Sequence, residues 1–164
     1  MPMSDAMVQE FLQESATTKK LLERVPEDKL EWKPHEKSMS LGRLATHVSE
    51  IPQWGDIIVN QEAFDMAAMD YTPTTCGSRK ELLGSFQKNA DQFTKILKGK
   101  TDDHLFAPWR LKEGEKVLVD LPRAAALRGF ILNHIVHHRG QLSVYLRMHD
   151  VPIPSIYGPS ADEQ

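Results

Sequence analysis

Apolar residues recur at helical spacing in four separate segments of the chain, which predicts four amphipathic helices. The predicted helices cover residues 4–24, 40–60, 78–99 and 122–150. Within each segment the apolar residues stand three and four positions apart, so they form one stripe that faces a core. Ser40 and Ser78 are suited to cap the second and third helices, and Pro122 is suited to open the fourth.

The segments between the helices are predicted to be loops, with one exception. Residues 61–77 are predicted to be irregular. Between the third and fourth helices, the segments Trp109-Arg-Leu111 and Val117-Leu-Val119 flank a polar turn that contains Gly114. This segment is interpreted either as a small hairpin or as an ordered loop.

Proline 52 falls inside the second predicted helix. Because Pro52 has no N–H, the carbonyl of Val48 loses its usual partner, and we predict a kink about one turn after His47. The kink is interpreted as a tolerated bend, or alternatively as an opening that makes room beside a site.

Four helices with at most a hairpin of strand predict an all-α protein built as a four-helix bundle. The connections are long for a bundle with tight turns, so we expect one or more crossover connections. A chain of 164 residues has room for one proper core, which predicts that residues 1–164 form a single domain. Its 40% hydrophobic and 26% charged residues are ordinary for a soluble globular protein.

Charge and composition narrow the range of partners. The net charge of -3 gives no electrostatic reason to expect nucleic acid. No apolar run approaches the roughly 20 residues that span a membrane, and the first residues do not resemble a signal peptide. Cys76 is the only cysteine, so an internal disulfide is impossible and a reducing compartment fits. We therefore expect a cytoplasmic protein whose partner is a small molecule.

The candidate chemistry lies in three histidines on the apolar stripes of two helices. His134 and His138 are one turn apart and project within about 40° of each other, and His47 lies in the middle of the second helix's stripe. By the same spacing, Arg139 is expected on a wetter face. Each buried imidazole has a polar nitrogen that needs a partner, and a shared metal ion would satisfy all three. Three nitrogen ligands leave a fourth position open, which is typical of catalytic metal sites.

Imidazole ligands favour Zn²⁺ or Ni²⁺ over Mg²⁺ or Ca²⁺. An ion with an open position lowers the pKa of a bound water or holds a thiol as thiolate. Glu50, His137 and Gln141 are candidates to orient a ligand or to pass a proton. For Glu50 and His137 the alternative is a solvated position at the rim. For the three histidines the alternative is core packing against carbonyls and Gln141.

Several familiar sites are excluded by the residues around these histidines. Ile135 follows His134, so the glutamate that serves as base in HExxH metalloproteases is missing. His47 precedes Glu50, which reverses the Glu-x-x-His order of di-iron bundles. The chain also lacks a phosphate-binding glycine loop and a Gly-x-Ser-x-Gly elbow.

Two motifs and the C-terminal segment carry a resemblance to a known family. The motifs are Leu41-Gly-Arg-Leu-Ala-Thr-His47-Val48 and Asn133-His134-Ile-Val-His-His138-Arg-Gly-Gln141, and the C-terminal segment is 151–162. In these features the sequence resembles the DinB-like (DinB/YfiT-like) metalloenzymes. The resemblance implies a four-helix bundle with crossover topology, a homodimer, and metal ligation by His47, His134 and His138.

The resemblance implies less about the reaction. Some members of the family are thiol-dependent transferases or isomerases that use a low-molecular-weight thiol, and many have no known reaction. The function expected here is a thiol-dependent transferase or a metal-assisted hydrolase that acts on a small molecule. The alternative is a non-catalytic metal-binding or dimeric interaction module, in which the histidines stabilise the bundle.

Overall fold

The computed structural model describes residues 1–163 and is mostly helical. Its helices are α1 (Met3–Leu22), α2 (Leu41–Glu50), α3 (Trp54–Asn60), α4 (Arg79–Leu97), α5 (Asp102–Phe106), α6 (Arg123–Leu127) and α7 (His134–Arg147). Its strands are β1 (Ala63–Asp65), β2 (Pro108–Glu113) and β3 (Lys116–Pro122). In residues 1–163, no helix combines the length and the apolar character that crossing a membrane requires.

The four predicted helical segments are present, and two of them are interrupted. A 3₁₀ turn at Ile51–Gln53 separates α2 from α3, so the break predicted at Pro52 lies just after His47. A π-helical turn at Arg128–Asn133 joins α6 to α7. The predicted caps are confirmed, since Ser40 Oγ accepts from the Arg43 N–H at 3.1 Å and Ser78 Oγ from the Glu81 N–H at 3.2 Å.

A three-stranded sheet corrects the all-α prediction. β2 and β3 form a hairpin, one of the two structures expected for this segment, and Gly114 supplies the positive φ of 60° that its turn requires. β1 pairs in parallel with β2 and places Ala63 beside Arg110, although its segment was predicted to be irregular. Three residues are too few to show an alternating pattern in the sequence. The protein is mostly helical with a small sheet, and the four-helix bundle with a crossover connection stays a prediction.

Two apolar clusters make up the core. One cluster contains Phe11 of α1 and Phe93 of α4, whose rings meet edge to face at 4.6 Å. The other contains Leu44 of α2 and Leu142 of α7, and it lies beside the histidine-bearing faces of these helices. Gly55 lets α3 approach α4 closely, because a Cβ at that position would lie 2.1 Å from the Phe93 ring.

Arg139 corrects a second expectation, because its side chain is only 2% exposed. Its guanidinium pairs with the Glu14 carboxylate at 2.7 Å and donates to the Tyr157 hydroxyl at 2.6 Å. The acid comes from α1 and the hydroxyl from the C-terminal segment, so neither partner is visible in the periodicity of α7. A buried guanidinium is tolerated here because a counter-charge and hydrogen-bond acceptors surround it.

Candidate metal centre

Two helices bring the three histidines together. His47 lies in the last turn of α2, and His134 and His138 occupy successive turns at the start of α7. All three side chains are half-buried. His134 directly follows the π-helical turn, a local distortion that is frequent at functional sites.

The side chains converge through their Nε2 atoms. His134 Nε2 lies 3.3 Å from His47 Nε2 and 2.9 Å from His138 Nε2. One ligand nitrogen from each histidine lies within 4.8 Å of the others. The three residues predicted from the spacing of the sequence are therefore adjacent in the structure.

The remaining ring nitrogens fix the tautomers of two histidines. His134 Nδ1 lies 3.2 Å from the carbonyl oxygen of Phe130, which can only accept a hydrogen bond. His138 Nδ1 lies 2.8 Å from Gln141 Oε1, which also accepts. Both Nδ1 atoms must therefore carry the proton, and both Nε2 atoms present a lone pair in the neutral rings.

With both protons at Nδ1, the Nε2 lone pairs of His134 and His138 face each other at 2.9 Å. That contact is repulsive between neutral rings and becomes favourable when a cation lies between the nitrogens. Zinc–nitrogen bonds of about 2.0–2.1 Å at tetrahedral angles separate their nitrogens by about 3.3–3.4 Å. The observed separations of 2.9 and 3.3 Å need only a small adjustment to reach that value. The three histidines are thus positioned to hold a divalent metal ion.

The histidines are held in their neutral form. Burial, together with the neighbouring charges of His138, His134 and Arg43, lowers the pKa of His47 from 6.5 to about 4. Burial is also the main cause that lowers the pKa of His134 and of His138. Because imidazole coordinates a metal only when it is neutral, the ring nitrogens are available at pH 7.

The three candidate supporting residues differ in their contacts. Gln141 touches His138 directly through the hydrogen bond to Nδ1. The His137 ring is exposed and packs edge to face against His138, with centroids 4.7 Å apart. In residues 1–163, Glu50 makes no hydrogen bond to a histidine of the centre, and its carboxylate pairs with Arg43 at 2.8 Å.

A cavity of about 320 Å³ opens beside His47. Its apolar walls come from Ile51, Trp54, Ile57, Met66 and Met69. Glu50 and the Tyr71 hydroxyl lie at its polar side, where Arg43 donates to both at 2.8 and 2.7 Å. The volume falls at the lower end of the range typical of small-molecule pockets.

Two polar residues at the cavity, Arg43 and Tyr71, were not predicted to belong to a site, for different reasons. Arg43, His47 and Glu50 stand at helical spacing on one face of α2, so Arg43 was within reach of the same argument. Tyr71 lies in a segment without helix or strand, and no pattern in the chain predicts its position. Contacts between such a segment and a helix depend on the tertiary fold.

Comparison with known proteins gives relatives that align with most of the chain. An uncharacterised protein from Bacillus subtilis strain 168, YrdA, is 29% identical over 151 residues, which cover 92% of this chain and 85% of YrdA. The crystal structure of a DinB-like protein from Bacillus cereus ATCC 10987 aligns with a TM-score of 0.71 at 23% identity, covering 93% of this chain and 97% of that protein.

A DinB-like protein from B. subtilis, YjoA, gives the same TM-score of 0.71 at 22% identity, covering 93% of this chain and 99% of YjoA. At these identities the two structures establish likeness of fold. The DinB family matches residues 1–164 of the sequence. The fold and the sequence agree, and the chain belongs to the DinB family.

Proposed function

We propose that this protein is a metal-dependent enzyme that acts on a small molecule, as a thiol-dependent transferase or a metal-assisted hydrolase. His47, His134 and His138 are the proposed ligands, and Zn²⁺ or Ni²⁺ is the proposed ion. The observation that carries the proposal is the convergence of three Nε2 atoms, one of them from His47, which also lines an open cavity. Three ligands leave a position for an exchangeable group, and the cavity provides the space to reach it.

A divalent ion held by these residues supplies a Lewis acid that lowers the pKa of a coordinated thiol or water. The protein's own groups prepare the site. The Phe130 carbonyl and Gln141 hold protons at the Nδ1 atoms of His134 and His138, which directs both Nε2 atoms toward the common centre. Glu50 stands on the cavity wall beside His47, where its carboxylate can accept a proton from a bound nucleophile.

The first experiment identifies the metal and the nucleophile together. Protein purified without an affinity tag is analysed for metal, and the reconstituted protein is screened for consumption of low-molecular-weight thiols in the presence of small electrophiles. Thiol consumption that requires the metal supports the transferase. Hydrolysis of small esters or amides without thiol supports the hydrolase.

The competing proposal is a metal-binding or dimeric interaction module without turnover. The cavity beside His47 favours the enzyme, because a module needs no space next to its ion. Cobalt substitution separates the two, since the absorption spectrum of Co²⁺ responds to its ligands. A spectrum that small anionic ligands change indicates an exchangeable position, and one that they leave unchanged indicates a closed site.

A further inference from the structure

The cavity beside His47 has an apolar end and a polar end. Ile51 and Trp54, from the 3₁₀ turn and the start of α3, form one wall together with Ile57. Met66 and Met69, from the segment after β1, form the facing wall. Glu50 and the Tyr71 hydroxyl, which both accept hydrogen bonds from Arg43, lie at the polar side with His47, and Gln53 is one further polar residue of the lining.

The facing wall exposes apolar side chains that folding has not buried. Met66 is 46% exposed, Met69 is 41% exposed and Tyr71 is 48% exposed. Three large apolar side chains that share one short segment are more than the scattered exposure expected on a surface. Methionine is flexible and polarisable, so such a wall adapts to apolar ligands of varied shape.

Hydrogen bonds hold this segment over the cavity. The Asp65 carboxylate accepts from the N–H groups of Ala67 and Gly114, each at 2.9 Å. Arg43 donates to the Tyr71 hydroxyl at 2.7 Å and to the Thr74 carbonyl at 2.9 Å. The segment is therefore tied to the sheet at one end and to α2 at the other.

The opposite wall is a rigid aromatic surface. The Trp54 ring packs edge to face with Phe64 at 5.3 Å and is stacked near Phe130 at 5.7 Å. Such contacts fix the indole, so it presents a preformed face to a ligand at low entropic cost.

Apart from the proposed metal ion, the cavity offers no free cationic side chain to an anionic group. The Arg43 guanidinium is already paired with Glu50, Tyr71 and the Thr74 carbonyl. Among the described residues that line the cavity, none is a lysine or an arginine. The apolar end therefore suits an uncharged group.

We propose, on the basis of the proposed function, that the substrate carries an uncharged apolar group, an alkyl chain or an aromatic ring. This group lies against Trp54, Ile57 and Met69, while the reacting polar end of the substrate lies toward His47. The cavity of about 320 Å³ is at the lower end of the range for small-molecule pockets, so it suits a short chain or a single ring.

The test measures binding and does not depend on turnover. Co²⁺-substituted protein is titrated with straight-chain hydroxamic acids from acetohydroxamic to octanohydroxamic acid, and the Co²⁺ absorption spectrum reports each dissociation constant. Each added methylene buried in the cavity should strengthen binding about fourfold, until the chain fills the cavity. Affinities that do not change along the series overturn the apolar subsite and leave the metal site intact.

Two variants test whether the gain in affinity with chain length arises at the apolar wall of the cavity. Met69→Glu should remove most of the gain with chain length, because a carboxylate replaces an apolar contact. The effect is read as the ratio of the dissociation constants for acetohydroxamic and octanohydroxamic acid, so that any influence of the new carboxylate on the metal-binding group common to both ligands cancels. Met148→Glu is the matched control, since Met148 is 56% exposed at the end of α7 and does not line the cavity.

The outcomes separate this inference from the proposed function. Chain-length gains that survive Met69→Glu as well as Met148→Glu overturn the placement of the apolar group. A Co²⁺ spectrum that no hydroxamic acid changes overturns the open coordination position, and the inference falls with it.

Discussion

The indole of Trp54 stacks on the ring of Phe130, with centroids 5.7 Å apart and an interplanar angle of 29°. The carbonyl of Phe130 accepts the hydrogen bond from His134 Nδ1 at 3.2 Å. One residue of the π-helical turn thus joins Trp54, a single side chain of the cavity wall, to the orientation of a proposed metal ligand. A change at Trp54 should therefore alter metal binding.

Replacement of Trp54 by Ala tests this connection. We expect a loss of about 2–3 kcal/mol in the free energy of unfolding, below the range for a fully buried tryptophan because Trp54 is half-buried. We also expect about tenfold weaker metal binding, because His134 loses part of its support. Denaturant unfolding and metal titration measure the two effects.

Trp32→Ala is the matched control. Trp32 packs edge to face with Tyr145 at 5.5 Å and with His149 at 4.4 Å, and among the described residues its ring contacts do not include Phe130. It should lower the stability while leaving metal affinity unchanged. Equal losses of metal affinity in both variants would show that general destabilisation, and not the Phe130 contact, is responsible.

Removal of one proposed ligand should release the metal. His138→Ala leaves two nitrogens, and we expect the affinity to fall by more than about 100-fold, beyond the effect of removing a supporting residue. His137→Ala is the control, because the His137 ring is exposed and only packs against His138. Metal analysis after dialysis measures occupancy, and full occupancy in His138→Ala would refute the ligand assignment.

Gln141→Leu should weaken metal binding by about 10- to 100-fold without removing a ligand. The variant deletes the acceptor for His138 Nδ1–H and so frees the ring to rotate and to change tautomer. Gln141→Glu keeps an acceptor at that position and should retain most of the affinity. Gln87→Leu, on the exposed face of α4, controls for the change in surface polarity. An affinity unchanged in Gln141→Leu would remove Gln141 from the site.

The free energy of unfolding should depend on pH through the three histidines, even without metal. Burial lowers the pKa of His47 to about 4, and it also lowers those of His134 and His138. Unfolded histidines bind protons below about pH 6.5, while these folded ones bind them only at lower pH. The contribution of these histidines to the free energy of unfolding is therefore fully present above pH 6.5 and is lost as the pH falls toward 4.

The metal adds a second, separable contribution. Protons compete with the ion for the same nitrogens, so the stabilisation by metal is present at pH 7.5 and fades in acid. A chelator should lower the melting temperature at pH 7.5 and have much less effect near pH 5. An equal chelator effect at both pH values would mean that the histidines are not the main ligands.

The proposed homodimer can be tested through two helices that pack side by side. α1 and α7 expose Leu12 and Val144, which are 46% and 58% accessible. We expect light scattering to give a dimer mass, and the double variant Leu12→Glu, Val144→Glu to give a monomer, because an obligate interface cannot bury unpaired carboxylates. Val117→Glu on β3 serves as control. A monomer mass for the unaltered protein over a wide concentration range would exclude the dimer.

The positions of the three histidines could be predicted because they follow from helical periodicity. Residues one turn apart share a face in any helix, so His134 and His138 had to be adjacent. His47 could be added because its apolar neighbours identify the buried face of α2. The contact between these two helix faces depends on the tertiary fold. The family resemblance implied this contact, whereas periodicity alone did not.

The predictions that were wrong concern contacts between residues that are far apart in the chain. The burial of Arg139 depends on Glu14 from α1 and on Tyr157, which lie 125 and 18 residues away along the chain. The sheet includes β1 because Asp65 and its neighbours pair with β2, which lies more than 40 residues later in the chain. Local patterns carry no information about such distant partners, and three-residue strands are too short to show a pattern of their own.

The 3₁₀ turn at Ile51–Gln53 separates one helical segment into two adjoining pieces that have different roles. The piece before the turn carries His47, and the piece after it carries the wall formed by Trp54 and Ile57. Substitutions at Ile57, or in the Met66–Tyr71 segment, can reshape the cavity while the position of His47 in α2 is kept. The architecture thus permits changes of substrate preference to accumulate independently of the metal centre.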